Sequence, residues 1–300
     1  MTTAPAFLDV GADGSIYADQ WDRFGQIMNC SVTCGSVEQI GESATLLSVP
    51  QAVALQDRRV AFGSRTGGRE RVLIVEAGKD PAPLVETQEE TTTPIAPVGP
   101  GEVAFVMGTG ASQAIALASI ASGRVIRRFD ATKGKTVLSI AAFPDGRTIY
   151  YTADGWVWSI PAAGGEPQRL GAGDSVTVDP LHRDLIVRLD ETDRVRLVRM
   201  PLNGSPVSPI PLADDARLVS SGAPVSPNAV GKDGRILLQV ANGSSWFWPA
   251  GILDPQTGRM QVLRIGYPAD MPSPGWSSDG KIVLVAEPLR SSLWRFRAVK

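Results

Sequence analysis

A single histidine, His182, stands in this chain of 300 residues, and that limits the chemistry it can carry. No metal site built on several imidazoles can form. A Ser–His–Asp relay would have to run through His182, in Asp179-Pro180-Leu181-His182-Arg183-Asp184. No G-x-S-x-G elbow occurs anywhere to supply its nucleophile. The two cysteines lie in Cys30-Ser31-Val32-Thr33-Cys34, and no second pair completes a zinc site. Gly108-Thr109-Gly110-Ala111-Ser112 misses the third glycine of a dinucleotide fingerprint. Gly134-Lys135-Thr136 resembles the end of a phosphate loop, but Phe129 stands where its first glycine belongs.

Two kinds of side chain remain. Carboxylates, namely Asp19, Asp22, Asp154 and Asp190, would be the acids and bases of a hydrolase or lyase. Aromatic and arginine side chains are the types that anchor a peptide, a protein segment or a small anionic ligand. The candidates of this second kind are Trp21, Arg23, Arg65, Arg69, Trp246, Tyr267 and Arg290. The densest stretch is Asn242-Gly243-Ser244-Ser245-Trp246-Phe247-Trp248-Pro249, with three aromatics where a loop meets a strand. No cofactor is implied by any of these residues.

The elements that position them follow from a repeat. Pro144-Asp145-Gly146 is turn chemistry, residues 148–152 are β-branched and aromatic, and Asp154-Gly155 is a hairpin turn. Residues 156–160 form the next strand, Gly164-Gly165 the next turn, and residues 167–170 a fourth segment. First-turn markers recur at Asp13-Gly14, Asp57-Arg58, Gly101-Glu102 and Asp145-Gly146, which places them at positions 13, 57, 101 and 145, each 44 apart. They continue at Asp184, Asp233-Gly234 and Asp279-Gly280. A later turn repeats through Gly35, Gly78, Gly123, Gly165, Gly204 and Gly258. Four short strands per period of this length predict an all-β chain folded as a β-propeller of four-stranded antiparallel blades. Residues 112–120 are alanine-rich, yet in register they are the third strand of a blade.

Phe143-Pro144-Asp145-Gly146-Arg147-Thr148-Ile149-Tyr150-Tyr151, followed by Trp156-Val157-Trp158-Ser159-Ile160, resembles the TolB-type, WD40-like (PD40) repeat. Ser291-Ser292-Leu293-Trp294-Arg295-Phe296 is similar to its third strand. The resemblance implies a fold, not an active site. It also implies the setting in which such repeats are found, as sensor or scaffold parts of bacterial regulators and kinases.

Seven first-turn markers favour seven blades, with six as the alternative. The last blade holds strands near residues 273–276, 281–287 and 293–297 and lacks a fourth. Residues 4–10 are the candidate to supply it, or to open blade one. Propellers commonly bind at the face that carries the turns between second and third strands and the links between blades. The seven aromatic and arginine candidates are expected there, around the central channel. His182 is expected on the opposite face. Aligned on Gly35 and Gly165, Cys30 and Cys34 flank a hairpin turn, and a disulfide between them would suit an oxidising compartment; two free thiols are the alternative. A periplasmic or extracytoplasmic location is therefore favoured.

Lys and Arg number 29 against 31 Asp and Glu, for a formal net charge of −2, with no basic stripe. That argues against nucleic acid as the partner. No apolar run is long enough to span a membrane, and the first residues do not read as a signal peptide. Met1-Thr2-Thr3 leads almost directly into the repeat, so residues 1–300 read as one propeller domain excised from a longer protein. The expected function is non-catalytic recognition, with a carboxylate-based propeller hydrolase or lyase as the alternative.

Overall fold

The computed structural model describes residues 5–22, 24–33, 37–43, 50–213, 216–219, 223–241, 243, 245–266, 268–288 and 290–296. Among them regular structure is β-strand, apart from two 3-10 turns at Gly110–Ser112 and Asp130–Thr132. The chain opens with β1 (Pro5–Val10), β2 (Ile16–Asp22), β3 (Gly25–Cys30) and β4 (Val37–Ser43). Four consecutive meanders follow. They are β5 (Ala52–Ala54), β6 (Val60–Thr66), β7 (Arg69–Val75) and β8 (Ala82–Pro83); then β9 (Thr91–Val98), β10 (Glu102–Met107), β11 (Ala114–Ser119) and β12 (Arg124–Arg128). Next come β13 (Val137–Ala142), β14 (Thr148–Ala153), β15 (Trp156–Pro161) and β16 (Gln168–Ala172), then β17 (Ser175–Asp179), β18 (Asp184–Asp190), β19 (Val195–Pro201) and β20 (Ser208–Pro209). A further unit holds β21 (Ile236–Gln239), β22 (Ala250–Leu253) and β23 (Met260–Val262), and the chain closes with β24 (Gly275–Trp276), β25 (Ile282–Ala286) and β26 (Arg290–Phe296).

These strands form seven antiparallel sheets, and the fold is a β-propeller. The second strand of each blade is covered on both faces by neighbouring blades, so it reads as an apolar run and not as an alternation. Val103 to Met107 in β10 and Leu185 to Val187 in β18 are buried without a break. The alanine-rich stretch is strand β11, third in its sheet as the repeat requires.

Six buried clusters join six of the sheets into a closed cycle. Phe62 and Val75 meet Ile27 and Val283; Leu84 meets Phe105; Ile115 meets Ile140 and Tyr151. Phe143 and Val157 meet Val176 and Val187, Ile186 and Leu197 meet Ile236, and Ile252 meets Met28 and Leu284. Buried polar side chains tie inner strand to inner strand. Gln51 Oε1 accepts from Ile95 N at 2.7 Å, Ser139 Oγ from Val176 N at 2.9 Å and Ser175 Oγ from Val225 N at 2.8 Å. Asn228 Nδ2 donates to Ala54 O at 2.8 Å, linking the β21 and β5 blades past the closing blade.

The closing blade has the order β24-β25-β3-β4. Its inner half is C-terminal and its outer half N-terminal, so both chain ends lock the ring. N-terminal closure is thus realised by β3 and β4. Residues 4–10 do not supply it: β1 pairs with β2 instead. Nor are residues 293–297 the blade's third strand. The physical reason is burial: β3 brings Ile27, Met28 and Cys30 into the inter-blade clusters, whereas residues 292–296 are exposed.

The seventh sheet, β1-β2-β26, is not one of the six in that cycle. β25 pairs with β3 from Ile282↔Cys30 to Ala286↔Gln26, and β26 pairs with β2 from Arg290↔Asp22 to Phe296↔Ile16. The register is the same throughout, so one long two-stranded ribbon begins in the closing blade and runs on into the seventh sheet. The two counts weighed from the repeat each have a counterpart, seven sheets in all and six in the closed cycle.

Turn chemistry sets the face of each blade from which the turns emerge. Asp57, Asp145 and Asp233 each accept a hydrogen bond from the backbone N–H two residues on, at 3.1 Å. Gly146 has φ +65°, and a Cβ there would lie 3.1 Å from Gly99 Cα, so only glycine fits between the two turns.

Candidate functional site

The central channel has two ends, and the topology assigns different residues to each. Turns between second and third strands and the links between blades share one face, called here the upper face. Turns between first and second strands share the lower face.

At the upper end a cavity of about 390 Å³ is lined by Asp174, Arg188, Asp190, Trp248, Asp270 and Glu287, among others. Arg188 lies on β18 and is 5% exposed. Its guanidinium donates to Asp190 Oδ1 at 2.7 Å, Val219 O at 2.7 Å and Ala223 O at 3.1 Å. Asp174 Oδ2 accepts from Asp190 N at 2.8 Å. The arginine is thereby committed to holding the link between two blades, and its charge is matched within the protein. Four carboxylates, Asp174, Asp190, Asp270 and Glu287, line the upper mouth beside this committed arginine.

The loop above this cavity is fastened by its backbone. Trp248 N donates to Asp270 Oδ1 at 2.7 Å, and Met271 N donates to Trp248 O at 3.0 Å. Phe247 N donates to Ser245 Oγ at 3.0 Å. Beside these anchored residues the Trp246 side chain is 99% exposed. An indole held in full contact with water beside a fixed loop serves no packing purpose.

At the lower end a cavity of about 590 Å³ is lined by Pro97, Pro144, Pro180, Pro227, Trp276 and the first-turn residues. Its rim carries Asp233 and Asp279. Partial burial works against ionisation of Asp57 and Asp233, but hydrogen bonds from Arg59 and Arg235 outweigh it and hold both carboxyls below their ordinary range. The Arg147 N–H does the same for Asp145, and the Ser277 hydroxyl for Asp279. His182 lies on this face as expected, in the β17–β18 turn. Its Nδ1 is 2.8 Å from Asp179 Oδ2, which also accepts from Arg199 Nη1 at 2.5 Å. Burial opposes ionisation of Asp179, and the hydrogen bonds from Arg199 and His182 more than offset it.

The residues singled out from sequence are spread over several blades. Arg65 and Arg69 flank the β6–β7 turn on the upper face. Arg65 donates to Glu70 Oε1 at 3.1 Å, and Arg69 Nη1 reaches Gln88 O and Oε1, each at 3.1 Å. Trp246 belongs to the β21–β23 blade, with the closing blade between it and the β5–β8 blade. Trp21 and Arg290 lie on β2 and β26 of the seventh sheet. Arg23 and Tyr267 lie outside the described residues. So does Cys34, and with it the bridge to Cys30, which is buried on β3. Of the four carboxylates weighed for catalysis, Asp190 lines the upper cavity. Asp154 sits in the β14–β15 turn, 3.7 Å from Lys135 Nζ. Asp19 and Asp22 are on β2. Arg188 was missed, although a charged residue inside the apolar run Leu185-Ile186-Val187 was the available signal. Among the described residues no group of three or more His, Cys, Asp or Glu side chains is placed to hold a metal ion. Among them, too, no helix is long and apolar enough to cross a membrane.

Solved structures place this geometry. A protein from Agrobacterium tumefaciens assigned as TolB superposes with a TM-score of 0.66 at 16% identity, covering 89% of this chain and 99% of that one. The fold is that of a TolB-like β-propeller. TolB from Acinetobacter baumannii gives a TM-score of 0.56 at 16% identity, over 95% of this chain and 81% of that one. A puromycin-hydrolysing peptidase from Mycobacterium tuberculosis gives 0.54 at 15% identity; 98% of this chain is covered, but only 51% of the peptidase. No protein-family model and no curated protein sequence matches the chain. At these identities the likeness of the TolB-like propeller to its neighbours is one of fold.

Proposed function

We propose that this TolB-like propeller is a recognition module that binds a segment of another protein at its upper face. The observation that carries the reading is the fully exposed Trp246 on a loop whose neighbour Trp248 is pinned to Asp270 at the rim of the upper cavity. Exposed aromatics next to a recess are the anchors of protein interfaces. Asp174, Asp190, Asp270 and Glu287 around that recess favour a segment carrying Lys or Arg over an anionic ligand.

The test is a thermal melt against matched basic and acidic peptides, organic acids and divalent metals. Binding to the folded state raises the melting temperature by mass action. Basic peptides are expected to raise it, and Trp246→Ala to abolish the shift without changing the melt of the free protein. A shift with organic anions alone overturns the charge argument. A shift with a divalent metal alone supports the carboxylate-based enzyme instead.

A further inference from the structure

The seventh sheet presents two unlike faces. Directly paired residues of antiparallel strands point to the same side. One side carries the rows Val10–Ile16–Phe296 and Leu8–Ala18–Trp294. The other carries Asp9–Tyr17–Arg295 and the row through Asp19 and Leu293. On this second side the charged row is satisfied within the sheet, while Leu293 is exposed. Arg295 pairs with Asp13, donates to Ser15 Oγ at 3.1 Å and lies 5.5 Å from the centre of the Tyr17 ring. The first side has no charged residue in its two rows. Leu8, Val10, Ile16, Trp294 and Phe296 are each between 45% and 67% exposed, around a central Ala18.

We infer that this apolar face is a self-association surface, on which two copies of the chain pack sheet against sheet about a two-fold axis. Three observations select a second copy as the occupant. The two rows carry no charge, and Asp22↔Arg290, a pair of opposite charges, follows two rows further along the same side, so a face of this make-up is complementary to itself across a two-fold axis. Five large side chains at this exposure present on the order of 500 Å². That is at the upper end of what a lone subunit leaves open. Two such faces together bury about 1,000 Å², the size at which specific interfaces begin. Finally, no residue of the seventh sheet belongs to any of the six inter-blade clusters. The sheet is therefore free to stack on its twin without disturbing the cycle of blades, as two sheets do in a sandwich.

Sedimentation of the whole chain over a range of concentrations tests this directly. The wild type is expected to sediment as a dimer, twice the 31.8 kDa of one chain. Trp294→Ser with Phe296→Ser is expected to yield monomers whose melt is unchanged. Leu293→Ser, on the opposite side of the same strand, is expected to leave the dimer intact. A wild type that stays monomeric at every concentration overturns the inference without reference to any variant. So does a dimer that survives the double substitution, or one that Leu293→Ser disrupts equally. A monomeric wild type that binds neutral lipid vesicles through Trp294 assigns the face to a membrane and also overturns it.

Discussion

The two ends of the channel are built by the same blades and differ in kind. The lower end is larger and walled by prolines of the first turns and of the segments leading into them, with rim carboxylates serving their own turn N–H groups and neighbouring arginines. The upper end is smaller and richer in charged side chains. It concentrates four carboxylates, a buried arginine and a tryptophan drawn from strand ends and blade links. The first turn must reverse the chain sharply in every blade, so its chemistry is fixed by the repeat and largely consumed by it. The upper links differ in length and composition from blade to blade, which leaves room for a site.

The largest expected effect separates the two ends by stability. Arg188→Met leaves the carbonyls of Val219 and Ala223 and the Asp190 carboxylate without their donor, at a cost of about 2–4 kcal/mol. Arg235→Met at the lower rim loses an exposed pair and costs less than about 1 kcal/mol. Urea denaturation of the two variants side by side measures the contrast, and equal losses would break it.

Tyr151 lies in the core between the ends and sharpens the comparison at high pH. Burial, and then the Asp154 charge, push its hydroxyl up to about 12 from 10.0. The unfolded chain therefore loses this proton first, so the stabilisation present below pH 10 disappears as the pH rises toward 12. The loss amounts to about 2–3 kcal/mol. Among the described residues the Tyr151 hydroxyl has no hydrogen-bond partner. Tyr151→Phe should thus remove that loss and change stability at neutral pH by less than about 1 kcal/mol. Chemical denaturation at pH 8 and pH 11, where about half of the loss should have appeared, tests both statements.

The acid limb reads the lower rim. Asp57, Asp145, Asp233 and Asp279 are held below 3.8 in the fold. They stabilise the protein above the ordinary carboxylate range, and the contribution is lost as pH falls through their folded values. Asp233→Asn should flatten this limb by less than about 1 kcal/mol, measured by melts between pH 5 and pH 2. The smallest effect on stability belongs to Trp246→Ala, whose melt should match the wild type. Its consequence should appear only in peptide binding, measured by titration calorimetry. A destabilised variant would show that the indole packs.

The sequence determined the strand repeat, its turns and the propeller. Each blade is a local meander whose apolar runs and Asp-Gly turns are written in adjacent residues, so periodicity alone carries them. It also placed His182 on the lower face and Trp246 on an upper loop. Tertiary structure alone decided how the ends of the chain are used. Nothing local distinguishes β3, which enters the ring, from β26, which leaves it. That choice rests on whether Ile27, Met28 and Cys30 find a buried partner surface across more than 250 residues of chain. The upper site is of the same kind. Asp174 meets Arg188 within one hairpin and Asp270 meets Glu287 across one bridge, but the two pairs, far apart in sequence, share a cavity only because the blades close in a circle. Long-range register and ring closure are collective properties of packing, and no window of residues contains them.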